Sequence, residues 1–177
     1  MFLWASLAHM VLPLGRAGIR EIPDDRVLLN TMHAALGDAS GFYMFPGLGA
    51  SADMQHYEQT LAANPSGLLI YHPPGGKALT MPQLVTEFFT ELFEALLLVW
   101  LMAQARLESF PFRVGFAVVV GVVAAITTNI PYWNWYGFPR AYTVAYMSIE
   151  IVGFLAVGLV AARTLGRSPS GSAALAA

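Results

Sequence analysis

Four carboxyls and one imidazole stand in stretches that are otherwise apolar. Glu87, Glu91 and Glu94 lie in PQLVTEFFTELFEALLLVWLMAQA (82–105), Glu150 lies in the apolar run 141–163, and His9 lies near the end of the first apolar run. Spacings of four and three residues put the three neighbouring glutamates on one side of an α-helix, within an arc of about 60°. Gln83 and Thr90 fall close to that stripe, whereas Phe88, Phe89, Leu92 and Phe93 point elsewhere. Thr143, Tyr146 and Glu150 repeat the pattern at spacings of three and four. Ionisable groups in membrane-type segments are costly and face a protein interior or a wet cavity.

Such a set can do three kinds of chemistry. Crowded carboxyls in poor solvent share protons and tie helices together as hydrogen-bonded acids. With His9 they offer mixed nitrogen and oxygen ligands to a metal, although neither a Glu-x-x-His pair nor a His-Glu-x-x-His motif is present. Lining a cavity, they bind a small molecule or support an embedded enzyme.

Other motifs carry less. His9 lacks a second intramembrane histidine for a bis-histidine haem, and His33, His56 and His72 are scattered through the polar segment. The run from Tyr71 to Lys77 fails the phosphate-loop pattern, because Tyr71 replaces the first glycine and Ala78 the Ser/Thr. No serine has a recognisable histidine and acid beside it, so nucleophilic catalysis has no support. No catalytic residue and no cofactor is therefore expected.

The elements that position these groups are membrane-like. The chain has 177 residues, 56% hydrophobic and 11% charged, with mean hydropathy +0.57, outside the ordinary soluble range. A net charge of −2 gives no basic footprint for nucleic acid. The absence of cysteine excludes disulfides, thiolate catalysis and cysteine-ligated metals.

The order of elements follows from hydropathy and breakers. Residues 1–15 read as a first membrane helix clipped at its start, ended by Pro13 and Gly15. A removed signal peptide fits less well, because no basic n-region precedes the apolar run. Residues 16–81 form an extramembrane α/β cap. Its first helix opens at Pro23-Asp24-Asp25 and stops at Gly37, and its second starts at Ser51 and ends before Asn64. Strands are expected at Gly41–Phe45 and Gly67–Tyr71.

Residues 82–105, 111–131 and 141–163 read as three further spans, with an aromatic turn at 132–140 and a disordered tail at 164–177. Tyr132, Trp133, Trp135 and Tyr136 suit the headgroup level of a bilayer. Ala117, Gly121 and Ala125 form a small-residue ridge suited to close helix packing. The short basic loop from Arg106 to Arg113 favours termini in the cytoplasm and an extracytoplasmic cap.

The segments HMVLPLGRAGIREIP (9–23), PSGLLIYHPPGG (65–76), QLVTEF (83–88) and YWNWYGFP (132–139) resemble a family of uncharacterised bacterial four-helix membrane proteins. The likeness covers most of the chain except its Ala-rich tail. It implies topology and further residues ahead of Met1, but no activity, so no catalytic residue is transferred.

The expectation is a membrane all-α fold: a four-transmembrane-helix bundle with a small α/β cap between its first two helices, in the bacterial inner membrane. His9, Glu87 and the N-terminal half of 82–105 share a depth, since Glu87 lies about 7 Å from Pro82 and His9 about 6 Å from Pro13. Glu94 and Glu150 lie about 18 Å and 16 Å in. The remaining half of each helix is apolar. The expected site is a blind vestibule of His9, Glu87, Glu91, Glu94, Thr143, Tyr146 and Glu150, which disfavours a channel or transporter. The expected function is a non-catalytic accessory subunit or binding module, with the bilayer and other membrane subunits as partners. The alternative is an embedded enzyme, or a metal- or small-molecule-binding protein.

Overall fold

A computed structural model describes residues 1–49 and 53–165. The chain divides into two compact units, residues 1–19 with the chain from Thr80 onward, and residues 20–79.

The first unit is helical. α1 spans Phe2–Met10 and is followed by a 3-10 turn at Pro13–Arg16. Leu12, held out of the helical region ahead of Pro13, stops α1. α4 spans Met81–Gln104; Thr80 opens it, with Gln83 Oε1 accepting from the Thr80 backbone N–H and hydroxyl, both at 2.8 Å. That contact takes Gln83 away from the carboxyl stripe and into a helix cap.

α5 spans Phe110–Tyr136 and α6 spans Arg140–Leu165. Their mutual packing is the most extensive in the molecule, and α1 and α4 lie against it more lightly. Ala117, Gly121 and Ala125 on α5 and Gly158, Ala161 and Ala162 on α6 are all buried, and these small residues let the two backbones approach. Leu98 and Met102 of α4 join Ala117, Phe154, Ala161 and Ala162 in an apolar core.

Two expectations are corrected. Four membrane spans are not found: among the described residues, only α5 and α6 are long and apolar enough to cross a bilayer. α1 has nine residues, about 13 Å of helix against a ~30 Å hydrocarbon core. α4 is long enough, but every stretch of it that could cross carries Glu87, Glu91 and Glu94 together. In α5 and α6 only 17% and 33% of the residues in the most apolar stretch are buried. These helices therefore expose apolar surface rather than form the centre of a water-soluble core.

The aromatic turn is also shorter than 132–140. α5 runs through Pro131 and ends at Gly137, whose left-handed conformation (φ 72°) lets its N–H reach the Tyr132 carbonyl. Proline forfeits one backbone donor, and the rest of the helix carries through it. Tyr132, Trp133, Trp135 and Tyr136 are therefore helical and exposed, with Tyr132 stacked on Phe138 at 5.3 Å. The predicted tail beyond Leu165, and the predicted helix start at Ser51, lie outside the described residues.

The second unit contains α2 (Arg26–Leu36), β1 (Gly41–Phe45), α3 (Met54–Ala63) and β2 (Gly67–Tyr71). β1 and β2 pair antiparallel, from Gly41 opposite Tyr71 to Phe45 opposite Gly67. Asp53 caps α3 by accepting from the Gln55 and His56 N–H groups at 3.0 and 3.3 Å. Tyr71 is the buried anchor: its hydroxyl donates to Gly37 O at 2.8 Å and lies 3.3 Å from His33 Nδ1.

Candidate functional site: a carboxyl-lined vestibule

The helical unit encloses a cavity of about 460 Å³ among α1, α4, α5 and α6. Its polar lining is the amino terminus of Met1, His9 from α1, Glu87, Thr90, Glu91 and Glu94 from α4, Thr128 from α5, and Tyr146 and Glu150 from α6. The helical spacing that puts three carboxyls on one stripe of α4 thus aims them at one space. Trp4, Ile149 and Phe154 supply apolar walls, and Ala124 and Gly153 leave the room between them.

The groups are graded in exposure. His9 and Glu87 are exposed, whereas Glu91, Glu94 and Glu150 are half-buried. Asn129, only 3% exposed, is the fixed point beneath Glu150. Its Nδ2 donates to both Glu150 carboxyl oxygens at 3.2 Å and to the Ala125 carbonyl at 3.0 Å. Glu150 is therefore oriented by a neighbouring helix before any ligand arrives.

Glu91 has no such support. Its Oε2 is shielded from solvent and has no hydrogen-bond partner among the described residues. Burial pushes the Glu91 carboxyl above the usual carboxylate range, and the neighbouring charge of Glu94 adds to the shift. Glu94 moves the same way, first by burial and then by Glu87.

The aromatic groups are held by one another. The Trp4 indole N–H donates to the Ile149 carbonyl at 2.8 Å. Tyr146 stacks on Tyr142 at 4.1 Å and meets His9 edge-to-face at 5.3 Å. Gly15 brings the chain back over His9: a Cβ there would lie 2.6 Å from His9 Nδ1. The walls are built into the resting fold.

Of the seven vestibule residues expected from sequence, His9, Glu87, Glu91, Glu94, Tyr146 and Glu150 line the cavity. Thr143 does not; it is buried, and its hydroxyl donates to the Pro139 carbonyl one turn earlier. Trp4 was not anticipated, because an indole in an apolar run looks like any other lipid-facing ring. Thr128 and Asn129 were visible as polar residues late in an apolar run, but nothing in the sequence pairs Asn129 with Glu150.

No group of three or more His, Asp or Glu side chains among the described residues is close enough to hold one metal ion. The carboxyls surround a space rather than a point. In the second unit His33 is engaged with Tyr71, while His56 and His72 are exposed.

Searches against protein-family models, curated proteins and solved structures return no match to this chain. The site must be read from its own geometry.

Proposed function

We propose that this protein is a membrane-embedded binding module whose vestibule receives a small polar molecule. The carrying observation is the cavity itself: about 460 Å³, lined by His9, Glu87, Glu91, Glu94, Tyr146 and Glu150. That volume falls within the usual range for small-molecule sites. Polar groups converging from separate helices on a pre-shaped space suit recognition. Among the described lining residues no hydroxyl is hydrogen-bonded to a base as an activated nucleophile would be, which supports binding as the reading.

The two apolar helices support residence in a bilayer. The resemblance of the quoted segments to bacterial membrane proteins favours the cytoplasmic membrane. At the ends of α5 and α6, Arg106, Arg113 and Arg163 stand on one side and Arg140 on the other. The positive-inside tendency therefore favours the first side as cytoplasmic.

A second reading, an accessory subunit, draws on the 20–79 unit. Val27, Leu29, Phe42, Met44 and Ile70 are all more than half exposed there, a surface that suits a protein partner.

Native mass spectrometry of the full chain purified in mild detergent, with elemental analysis, separates the two. A small molecule retained by the protein and lost from Glu94→Gln supports the vestibule. A co-purifying membrane complex with nothing in the vestibule overturns it in favour of the accessory subunit.

A further inference from the structure

The chemistry of the lining narrows what the vestibule takes. Among its lining residues are four carboxyls, one imidazole, the Met1 amino terminus and neither arginine nor lysine, so the carboxyls outnumber the single terminal amine beside Glu91 and Glu94. An anionic ligand would meet like charges in a partly desolvated space, where repulsion is strong. Any negative charge these carboxyls carry calls for a cation.

A bare metal ion is a poor fit. It needs several donors converging within about 2–2.6 Å of one point, and no such grouping of three acidic or histidine residues exists among the described residues. The cavity is also far larger than an ion. A ligand that fills it must bring an apolar body, because Trp4, Ile149 and Phe154 form much of the wall.

One atom points to the ligand's head group. Glu91 Oε2 is a buried acceptor with no donor among the described residues, and buried polar atoms in folded proteins nearly always have a partner. Glu91 lines the cavity, so a turn of its carboxyl would present that acceptor to an ammonium N–H in a charge-assisted bond. The rings of Trp4 and Tyr146 border the same space, and aromatic faces attract organic cations. Glu150, already oriented by Asn129 through both oxygens, supplies a second acceptor surface across the cavity.

We infer that the vestibule binds a protonated primary or secondary amine carried on an apolar or aromatic body, with Glu91 as the principal acceptor. This inference rests on the reading of the vestibule as a ligand site.

The test uses the full chain in non-ionic detergent and a matched series of probes: 2-phenylethylammonium, 2-phenylethanol and phenylacetate. Calorimetry measures binding, and the change in tryptophan emission that is lost in the wall variant Trp4→Phe provides a second readout. The expected result is saturable binding of the ammonium probe, at least tenfold weaker binding of the alcohol and none of the carboxylate. Glu91→Gln and Glu94→Gln should each weaken the ammonium probe at least tenfold at unchanged helix content. Glu108→Gln, outside the vestibule, should leave it as it was. Two variants guard against one failing to fold.

Equal binding of alcohol and ammonium, or indifference to both glutamine variants, overturns the amine inference. A neutral or anionic molecule found in the vestibule by native mass spectrometry also overturns it while leaving the ligand site standing. Failure of all three probes, together with an empty vestibule by mass spectrometry, overturns both.

Discussion

Replacing Gly158 with alanine tests the helix pair on which the vestibule depends. A Cβ at Gly158 would lie 2.4 Å from the Ala117 Cβ. Carbon atoms rest about 3.5–4.0 Å apart, so about 1.1–1.6 Å must be found. The obstacle is a methyl fixed to the α5 backbone and wholly buried, not the free end of a flexible side chain. α5 and α6 must therefore separate locally, and neighbouring contacts such as Gly121 against Phe154 loosen with them. Overpacking of this kind costs about 1–3 kcal/mol.

Alanine also favours helix over glycine by about 1 kcal/mol, which would mask part of the loss. Gly115→Ala corrects for this, because a Cβ at Gly115 meets nothing within 4 Å and carries the same propensity gain without the clash. The expected difference between Gly158→Ala and Gly115→Ala is thus about 1–3 kcal/mol. For a chain of this size that is about 2–12 °C in melting midpoint, read by circular dichroism in detergent.

The rescue is specific. With Ala117→Gly, the new methyl at position 158 faces the Ala117 Cα at 3.9 Å, an ordinary contact. The double variant should be more stable than the sum of its single changes by about 0.5–3 kcal/mol. Equal midpoints for Gly158→Ala and Gly115→Ala, or no coupling with Ala117→Gly, would refute the close approach of α5 and α6.

Other predictions follow from the site and the spans. Asn129→Ala removes the donor beneath both Glu150 oxygens and should destabilise the fold by about 1–3 kcal/mol; chemical denaturation in detergent measures it, and a loss below about 0.5 kcal/mol, the floor for one net hydrogen bond, counts against the bond. The Glu91 and Glu94 carboxyls stand above their usual range in the folded protein, so their stabilising contribution is full below the unfolded value. It is lost as pH rises through the folded value. The melting midpoint should therefore fall as pH rises across that window, and Glu91→Gln with Glu94→Gln should flatten the slope. A slope unchanged in the double variant contradicts this. The chain has no native cysteine, so a single introduced cysteine reports one position. Trp135→Cys should react with an impermeant thiol reagent from outside intact cells, and Thr164→Cys only after the cells are opened. Labelling of both from one side would rule out crossing by α5 and α6.

Much of the local structure was legible. Asp25 and Gly37 bracket α2, and the short apolar runs 41–45 and 67–71, bounded by glycine and proline, are the two strands, because caps and breakers act over a few residues. The stripe of Glu87, Glu91 and Glu94 was legible for the same reason: an α-helix admits one placement of residues four and three apart. The number of spans was misjudged. Hydropathy alone merged the apolar end of α4 with its acidic start, and credited α1 with the residues after Leu12 that Pro13 turns away from helix.

What the sequence determined alone was the helical stripe, the small residues along α5 and α6, and the depth of each polar group along its own helix. Each depends only on backbone geometry that neighbouring residues share. Tertiary structure decided which stripes meet. It set Asn129 beneath Glu150, brought Trp4 to the Ile149 carbonyl, turned Thr143 back to Pro139 and left Glu91 Oε2 shielded and without a donor among the described residues. Those pairings depend on how closely two helices approach and how they are rotated. In α5 and α6 that approach is governed by contacts as small as one methyl of Ala117 lying over Gly158, which no spacing along the chain records.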